Sequence, residues 1–320
     1  MSTPGATPTI KIGVSSCLLG REVRFDGSHK KDAFVNGVLS RYFQFVPVCP
    51  EMEIGLGVPR DPIHLERRHG TVRVVGVKRP QMDVTGPLHD CGRRIVDAHR
   101  DLSGYILKSK SPSCGMERVK VHHAGGMPTR DGVGQFARTL MECWPELPVE
   151  EEGRLNDPML RESFIDRVFT YRRWQGMMER GASAAGIVDF HTRHKLLVMA
   201  HSQQAYRQLG RSVASCGDED PDHFAEHYIA ALMRALRTPA TRRNHTNVLK
   251  HVQGYLKSRI DAEDKRELNE LIERYRLGEV PLVVPLTLLN HHFRRHPDDY
   301  MQRQVYLNPH PPELMLRNLI

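Results

Sequence analysis

The sequence predicts an α/β N-terminal domain with a mainly parallel sheet, followed by an all-α helical domain. Two observations carry this. In the first half, short apolar runs of strand length alternate with segments of helical period, the pattern of a parallel sheet with helical crossovers. Beyond Pro158 the apolar residues keep a helical period almost to the end of the chain.

Ile10–Val14 reads as a buried strand, and Ser15–Gly20 (SSCLLG) as the loop that follows it. Asp26-Gly27 marks a turn, and Ala33–Tyr42 a short helix. Phe43–Cys49 (FQFVPVC) is a second strand, ending at a Cys-Pro step. Thr71–Val77 alternates like a strand with one solvated face, and Gly86–Leu102 has helical period with Cys91 inside it. Gly104–Lys108 is a third buried strand and runs straight into SKSPSCG. The Pro- and acid-rich stretch 145–158 (PELPVEEEGRLNDP) reads as a linker or a domain edge, which divides the chain into domains 1–152 and 153–320. Helices follow at Leu160–Arg180, from Asp189 toward Leu209, and at Ala225–Leu236, Asn244–Ile260 and Asp261–Leu277. Pro281–Pro285 breaks the period before Leu286–Arg295.

With 39% hydrophobic and 26% charged residues, the chain is globular rather than disordered. No apolar run approaches the ~18 residues of a membrane span, and the polar start MSTPGATPTIKIG lacks the basic-then-apolar form of a signal peptide. The expected location is the cytoplasm, where thiols stay reduced. Each of the six cysteines then needs a reason as core filler, metal ligand or nucleophile. Cys91, Cys143 and Cys216 lie in helical or linker contexts and read as packing residues.

Cys17, Cys49 and Cys114 differ. Each lies in a loop at the carboxyl end of an expected strand, and in an open α/β sheet such loops gather on one edge, where ligands bind. Three readings fit: packing, a zinc ion on three thiolates, or a 4Fe-4S cluster held at three corners with one open iron. Structural zinc sites usually use a CxxC pair, and there is none here. Small residues beside Cys17 and Cys114 leave room for a bulky group, and Pro50, Gly55 and Gly57 let the Cys49 loop turn back. Glu51, two residues after Cys49, has the chemistry to activate water, with Glu53 as the alternative base. Ser111, three residues before Cys114, has a hydroxyl that could orient that water or donate to a developing anion.

These motifs carry a resemblance. CLLG then VRFDG, PVCPE with a Gly-rich stretch ending in PR, and KSPSCG occur in the order seen in the TudS-type thiouracil desulfidase family, over roughly residues 8–150. The resemblance implies a 4Fe-4S cluster on Cys17, Cys49 and Cys114, and Glu51 and Ser111 as catalytic residues. The family commonly shows Gly-Gly-Leu after the CPE motif and Tyr before the Asp-Gly, where this chain has Ile54-Gly55-Leu56 and Phe25. From about Pro158 onward the chain resembles the YbgA-type helical domain, most clearly in YLNPHPPELMLRN and in HTRHKLLVMAHS. The fusion is similar to RudS-type tRNA 4-thiouridine desulfidases, which implies tRNA as partner and removal of sulfur from 4-thiouridine without net redox change.

The net charge of +8 suits a polyanionic partner. Two acid-free runs in the helical half concentrate that charge. His191–Arg211 contains Arg193 and Lys195; Arg234–Ile260 contains Arg234, Arg237, Arg242, Arg243 and Lys250, the expected nucleic-acid contacts. Two other functions stay open: a desulfidase of free thiouracil or thionucleosides, and a non-enzymatic RNA-binding protein with a structural metal.

Overall fold

A computed structural model describes residues 10–320. The polar start read above as lacking a leader, Met1–Thr9, lies outside the described residues. The chain forms two compact units, one ending at Asn156 and one beginning at Asp157.

The first unit carries strands β1 (Ile10–Ser15), β2 (Phe43–Val48), β3 (Ile63–Arg68), β4 (Thr71–Gly76), β5 (Leu102–Leu107), β6 (Val119–His123), β7 (Gly126–Gly132) and β8 (Val149–Glu151). One sheet has the order β2-β1-β5-β8 with every pairing parallel. Its strands are short and apolar because the central ones are covered on both faces; β5 is buried at every residue. Gly13 of β1 pairs beside Tyr105 of β5, and a Cβ there would sit 2.2 Å from the Tyr105 ring, so this register demands glycine. The second sheet, β4-β3-β6-β7, joins two antiparallel hairpins through a parallel β3–β6 pairing. Only β4 of this sheet was expected. Its partners IHLERR, VKVHH and GMPTRDG carry charged and histidine residues on an open face, which hides their alternation. Leu65, Val74, Val119 and Val121 supply its buried face.

Helices α1 (Ala33–Gly37), α2 (Pro50–Glu53), α3 (Thr85–Ala98) and α4 (Gln135–Cys143) complete the unit. Leu88 of α3 packs on the second sheet's buried face. Cys91 is buried in α3, whereas Cys143, expected to pack, is exposed at the end of α4. The acid-rich stretch read as a linker contains β8, and there Glu150 and Glu151 are 3% and 6% exposed. A buried acidic strand is possible because loop amides and an arginine satisfy it, as shown below.

The second unit is helical: α5 (Pro158–Met178), α6 (Ala184–His201), α7 (Gln203–Ala214), α8 (Pro221–Leu236), α9 (Arg242–Gly254), α10 (Ala262–Leu277), α11 (Val283–Arg295) and α12 (Asp299–Gln302). Asp157, Ser183, Ser202, Asp220, Thr241 and Asp261 each accept an amide N–H at the start of the helix that follows. Ser202 explains why the expected long helix from Asp189 is two: the residue is extended (φ −153°) and its hydroxyl caps α7. Pro285 does not break the pattern, because it falls in the first turn of α11, where its missing N–H costs nothing. In the core Trp174 stacks on Tyr228, ring centroids 5.5 Å apart, and meets Phe190 edge-on at 5.2 Å. Polar groups are buried there too. His194 Nδ1 donates to Phe190 O at 2.7 Å, His245 Nδ1 meets the Tyr306 hydroxyl at 3.0 Å, and Arg317 donates to Tyr306 O at 2.6 Å.

Candidate active site

The carboxyl ends of β1, β2 and β5 open into one cavity of about 360 Å³, and Cys17, Cys49 and Cys114 all line it. Cys17 lies in a 3-10 turn that Gly20, at φ +88°, closes. Lys30 N donates to Cys17 O at 2.9 Å and holds the turn. Cys49 stands at the N-cap of α2, with Pro50 fixing the first helical position. Cys114 sits in SPSCG, which folds on itself: Ser111 Oγ accepts from Ser113 N at 3.2 Å and Cys114 N at 3.1 Å. Gly115 closes this loop; a Cβ there would stand 2.3 Å from Val119 and 2.9 Å from Ser111 O.

The acids of the expected linker hold these loops. Glu151 Oε1 accepts Met116 N at 2.7 Å, just beyond Cys114. Glu150 takes Arg154 Nε at 2.6 Å. Glu152 accepts Ser109 N at 2.7 Å and its hydroxyl at 2.8 Å, and pairs with Lys108, a residue of the cavity wall. Burial raises the Glu151 carboxyl above its usual range.

Glu51 also lines the cavity, while Glu53 is exposed and does not. The Glu51 carboxylate is held from both sides. Arg60 donates to Oε2 through Nε at 2.9 Å and Nη2 at 2.6 Å, and Ser113 Oγ donates to Oε1 at 2.9 Å. The same guanidinium donates to Gly57 O at 2.6 Å and Val23 O at 2.9 Å, so it ties the loop after β1 to the loop after β2. Arg60 and Ser113 were not singled out from sequence; a long-range pair leaves no local signal. The hydroxyl on Glu51 belongs to Ser113, whereas Ser111 lines the cavity and caps the Cys114 loop.

Burial raises all three thiols: Cys17 is pushed up to about 11, and Cys49 and Cys114 are also raised. Thiols in such surroundings, two buried and one half-buried, resist ionising unless a cation joins them. Among the described residues, no three His, Cys, Asp or Glu side chains converge closely enough to hold one metal ion. Three thiol donors on one cavity wall, with small neighbours beside Cys17 and Cys114, are a donor set that fits a polynuclear iron–sulfur group, which spreads its thiolates over separate irons.

The expected nucleic-acid contacts all lie in the helical unit, with different surroundings. Arg234, Arg237, Arg243 and Lys250 are exposed on α8, just after it, and on α9. Arg193 pairs with Asp189 at 2.8 Å, and Lys195 lies 4.9 Å over the Tyr300 ring. Arg242 is committed to packing: it lies over the Tyr275 ring and donates to Tyr275 O at 2.7 Å.

Sequence comparison gives this architecture a family. A family model described as 2-thiouracil desulfurase matches residues 12–152, and one described as a protein of unknown function (DUF1722) matches residues 195–311. The uncharacterized protein YbgA of Escherichia coli (strain K12) is 36% identical over 158 residues, 49% of this chain and 94% of its own. The chain joins a TudS-type domain of the 2-thiouracil desulfurase family to a YbgA-type domain. The uncharacterized protein YbbK of Bacillus subtilis (strain 168) is 31% identical over 112 residues, 32% of this chain and 72% of its own. A solved structure of the 4Fe-4S-dependent thiouracil desulfidase TudS shares 28% identity, covering 46% of this chain and 94% of its own, at a TM-score of 0.39. The TudS-type domain holds the whole cavity, whose lining residues run from Ser15 to Cys114. No helix among the described residues is long and apolar enough to cross a membrane.

Proposed function

We propose that the chain is an iron–sulfur-dependent desulfidase that replaces the sulfur of 4-thiouridine in tRNA by oxygen, giving uridine and hydrosulfide. One observation carries the reading: three cysteines from three strand ends line one cavity whose wall holds a clamped carboxylate, Glu51. Cys17, Cys49 and Cys114 would hold the cluster. When bound, a 4Fe-4S cluster with one iron free of protein ligands supplies a soft Lewis acid for the thiocarbonyl sulfur.

The chain's own residues do the rest. Arg60 and Ser113 fix the Glu51 carboxylate, which acts as general base on the attacking water. Ser111 Oγ already accepts two amide protons, so its own proton is left to donate to the substrate or to that water. Water oxygen bonds to C4, the C–S bond breaks, and sulfur departs as hydrosulfide; no electrons are gained or lost. Exposed Arg234, Arg237, Arg243 and Lys250 of the YbgA-type domain would take tRNA phosphates, with Arg193 and Lys195 in support, through binding that weakens as salt rises.

A second reading has a specific observation in its favour. Every lining residue of the cavity comes from the TudS-type domain, so a small thionucleobase needs nothing from the helical unit. Kinetics with 4-thiouridine nucleoside and with thiolated tRNA separate the two. The tRNA reading predicts that Arg243→Ala with Lys250→Ala weakens tRNA turnover at least tenfold and leaves nucleoside turnover unchanged. Equal kcat/KM on both substrates, unaffected by these variants, would refute it.

A further inference from the structure

An aromatic ring stands uncovered on the wall of this cavity. Phe25 lines it and is 38% exposed, although the α/β unit buries Tyr105 and Phe136 completely. Exposed aromatic surface in a binding cleft is surface that a ligand covers. The turn that carries the ring is held in place. In it Gly27, at φ +74°, donates to Arg24 O at 3.0 Å and Arg24 N donates to Ser28 O at 3.2 Å. Asp26 locks that turn by accepting Ser28 N at 3.1 Å and the Ser28 hydroxyl at 2.6 Å.

The turn is also tied to the reacting end of the cavity. Arg60, whose guanidinium clamps Glu51, donates its backbone N–H to Phe25 O at 2.9 Å. One residue thus sets the carboxylate with its side chain and the aromatic wall with its main chain. Arg24 leans on the ring, its guanidinium carbon 5.6 Å from the centroid, and is steadied by Ser28 Oγ at 3.2 Å. A flat ligand that presents one edge to the cysteines and Glu51 has a face to cover, and Phe25 is the aromatic residue on this cavity's wall.

We propose that Phe25 is the stacking platform for the substrate's pyrimidine ring, and that the site therefore takes only a base already out of its own stack. The inference rests on the thiopyrimidine reading of the site. A base inside a helix has both faces covered by its neighbours, so it must give up one of them to lie on Phe25.

The test uses the cluster-loaded full chain with Phe25→Leu, which keeps apolar bulk without a π face, and Phe25→Tyr, which keeps the face. Uridine, the product, carries no sulfur, so its dissociation constant by calorimetry reads binding without the sulfur contact. The expected result for Phe25→Leu is about tenfold weaker uridine binding and a similar rise in KM for 4-thiouridine. Its kcat stays within about twofold, and Phe25→Tyr behaves like the parent chain. Unchanged uridine affinity in Phe25→Leu overturns the proposal, as does a parent chain that binds neither uridine nor 4-thiouridine. If uridine binding depends on Phe25 while no thiopyrimidine releases hydrosulfide, the platform stands and the desulfidase reading falls.

Discussion

Replacing Arg60 by alanine removes the side chain that joins two loops of the cavity. Its guanidinium makes two hydrogen bonds to Glu51 and one each to Val23 O and Gly57 O, and the two paired side chains are 6% and 15% exposed. Breaking one side of a buried ion pair costs about 3–5 kcal/mol. Glu51 keeps Ser113 and faces a cavity that water can enter, so the lower end, about 3 kcal/mol, applies. For a unit of this size that is a fall in melting temperature of about 6–12 °C. Thermal melting of the full chain by near-ultraviolet circular dichroism reads it. Arg60→Lys keeps the charge but not the fork and should recover only part of the loss. With Glu51 present but no longer fixed, kcat on 4-thiouridine should fall by about 100-fold. A melting temperature within about 2 °C of the parent, with kcat retained, would refute the clamp.

Other outcomes follow from the same geometry. Changing Cys17, Cys49 or Cys114 singly to Ala should remove the cluster's visible absorption after anaerobic reconstitution; full absorption in any one variant would remove that residue from the ligand set. Glu151→Ala should cost about 1–3 kcal/mol by orphaning Met116 N, and should lower the iron retained per chain, whereas Glu151→Gln keeps an acceptor and most of the stability. Equal iron content in the alanine variant would contradict that support. Burial lowers His191 to about 4 and His194 to about 3, so below the ordinary histidine range the unfolded chain takes up protons that the folded one does not. Stability should therefore fall with pH from about 6.5 toward 4, by about 1.4 kcal/mol per unit for each of these histidines. Urea unfolding at several pH values measures it, and His194→Gln should flatten the slope.

The cysteine loops were legible because each follows an apolar run of strand length, so chemistry and position are adjacent in sequence. Glu51 was legible for the same reason, lying two residues from Cys49. Its partners were not, since Arg60 and Ser113 reach it across 9 and 62 residues. The stretch around Glu150–Glu152 does hold the edge between the two units, at Asn156 and Asp157, but its acids are not a linker. An acid run beside prolines has the composition of a solvated linker, and only the tertiary structure shows Met116 N, Ser109 N and Arg154 waiting for it. The second sheet escaped for a related reason: its strands expose one charged face, and β-pairing rather than pattern makes them strands. Arg242 shows the same limit from the other side: its place over the Tyr275 ring, 33 residues away, leaves no local signal in sequence.

The most direct test of the central claim is incubation of the reconstituted full chain with thiolated tRNA under anaerobic conditions, followed by nucleoside analysis and hydrosulfide assay. The account predicts loss of 4-thiouridine, a matching gain of uridine and one hydrosulfide per base converted. Persistence of 4-thiouridine with no hydrosulfide, in protein whose cluster absorption is intact, would contradict it.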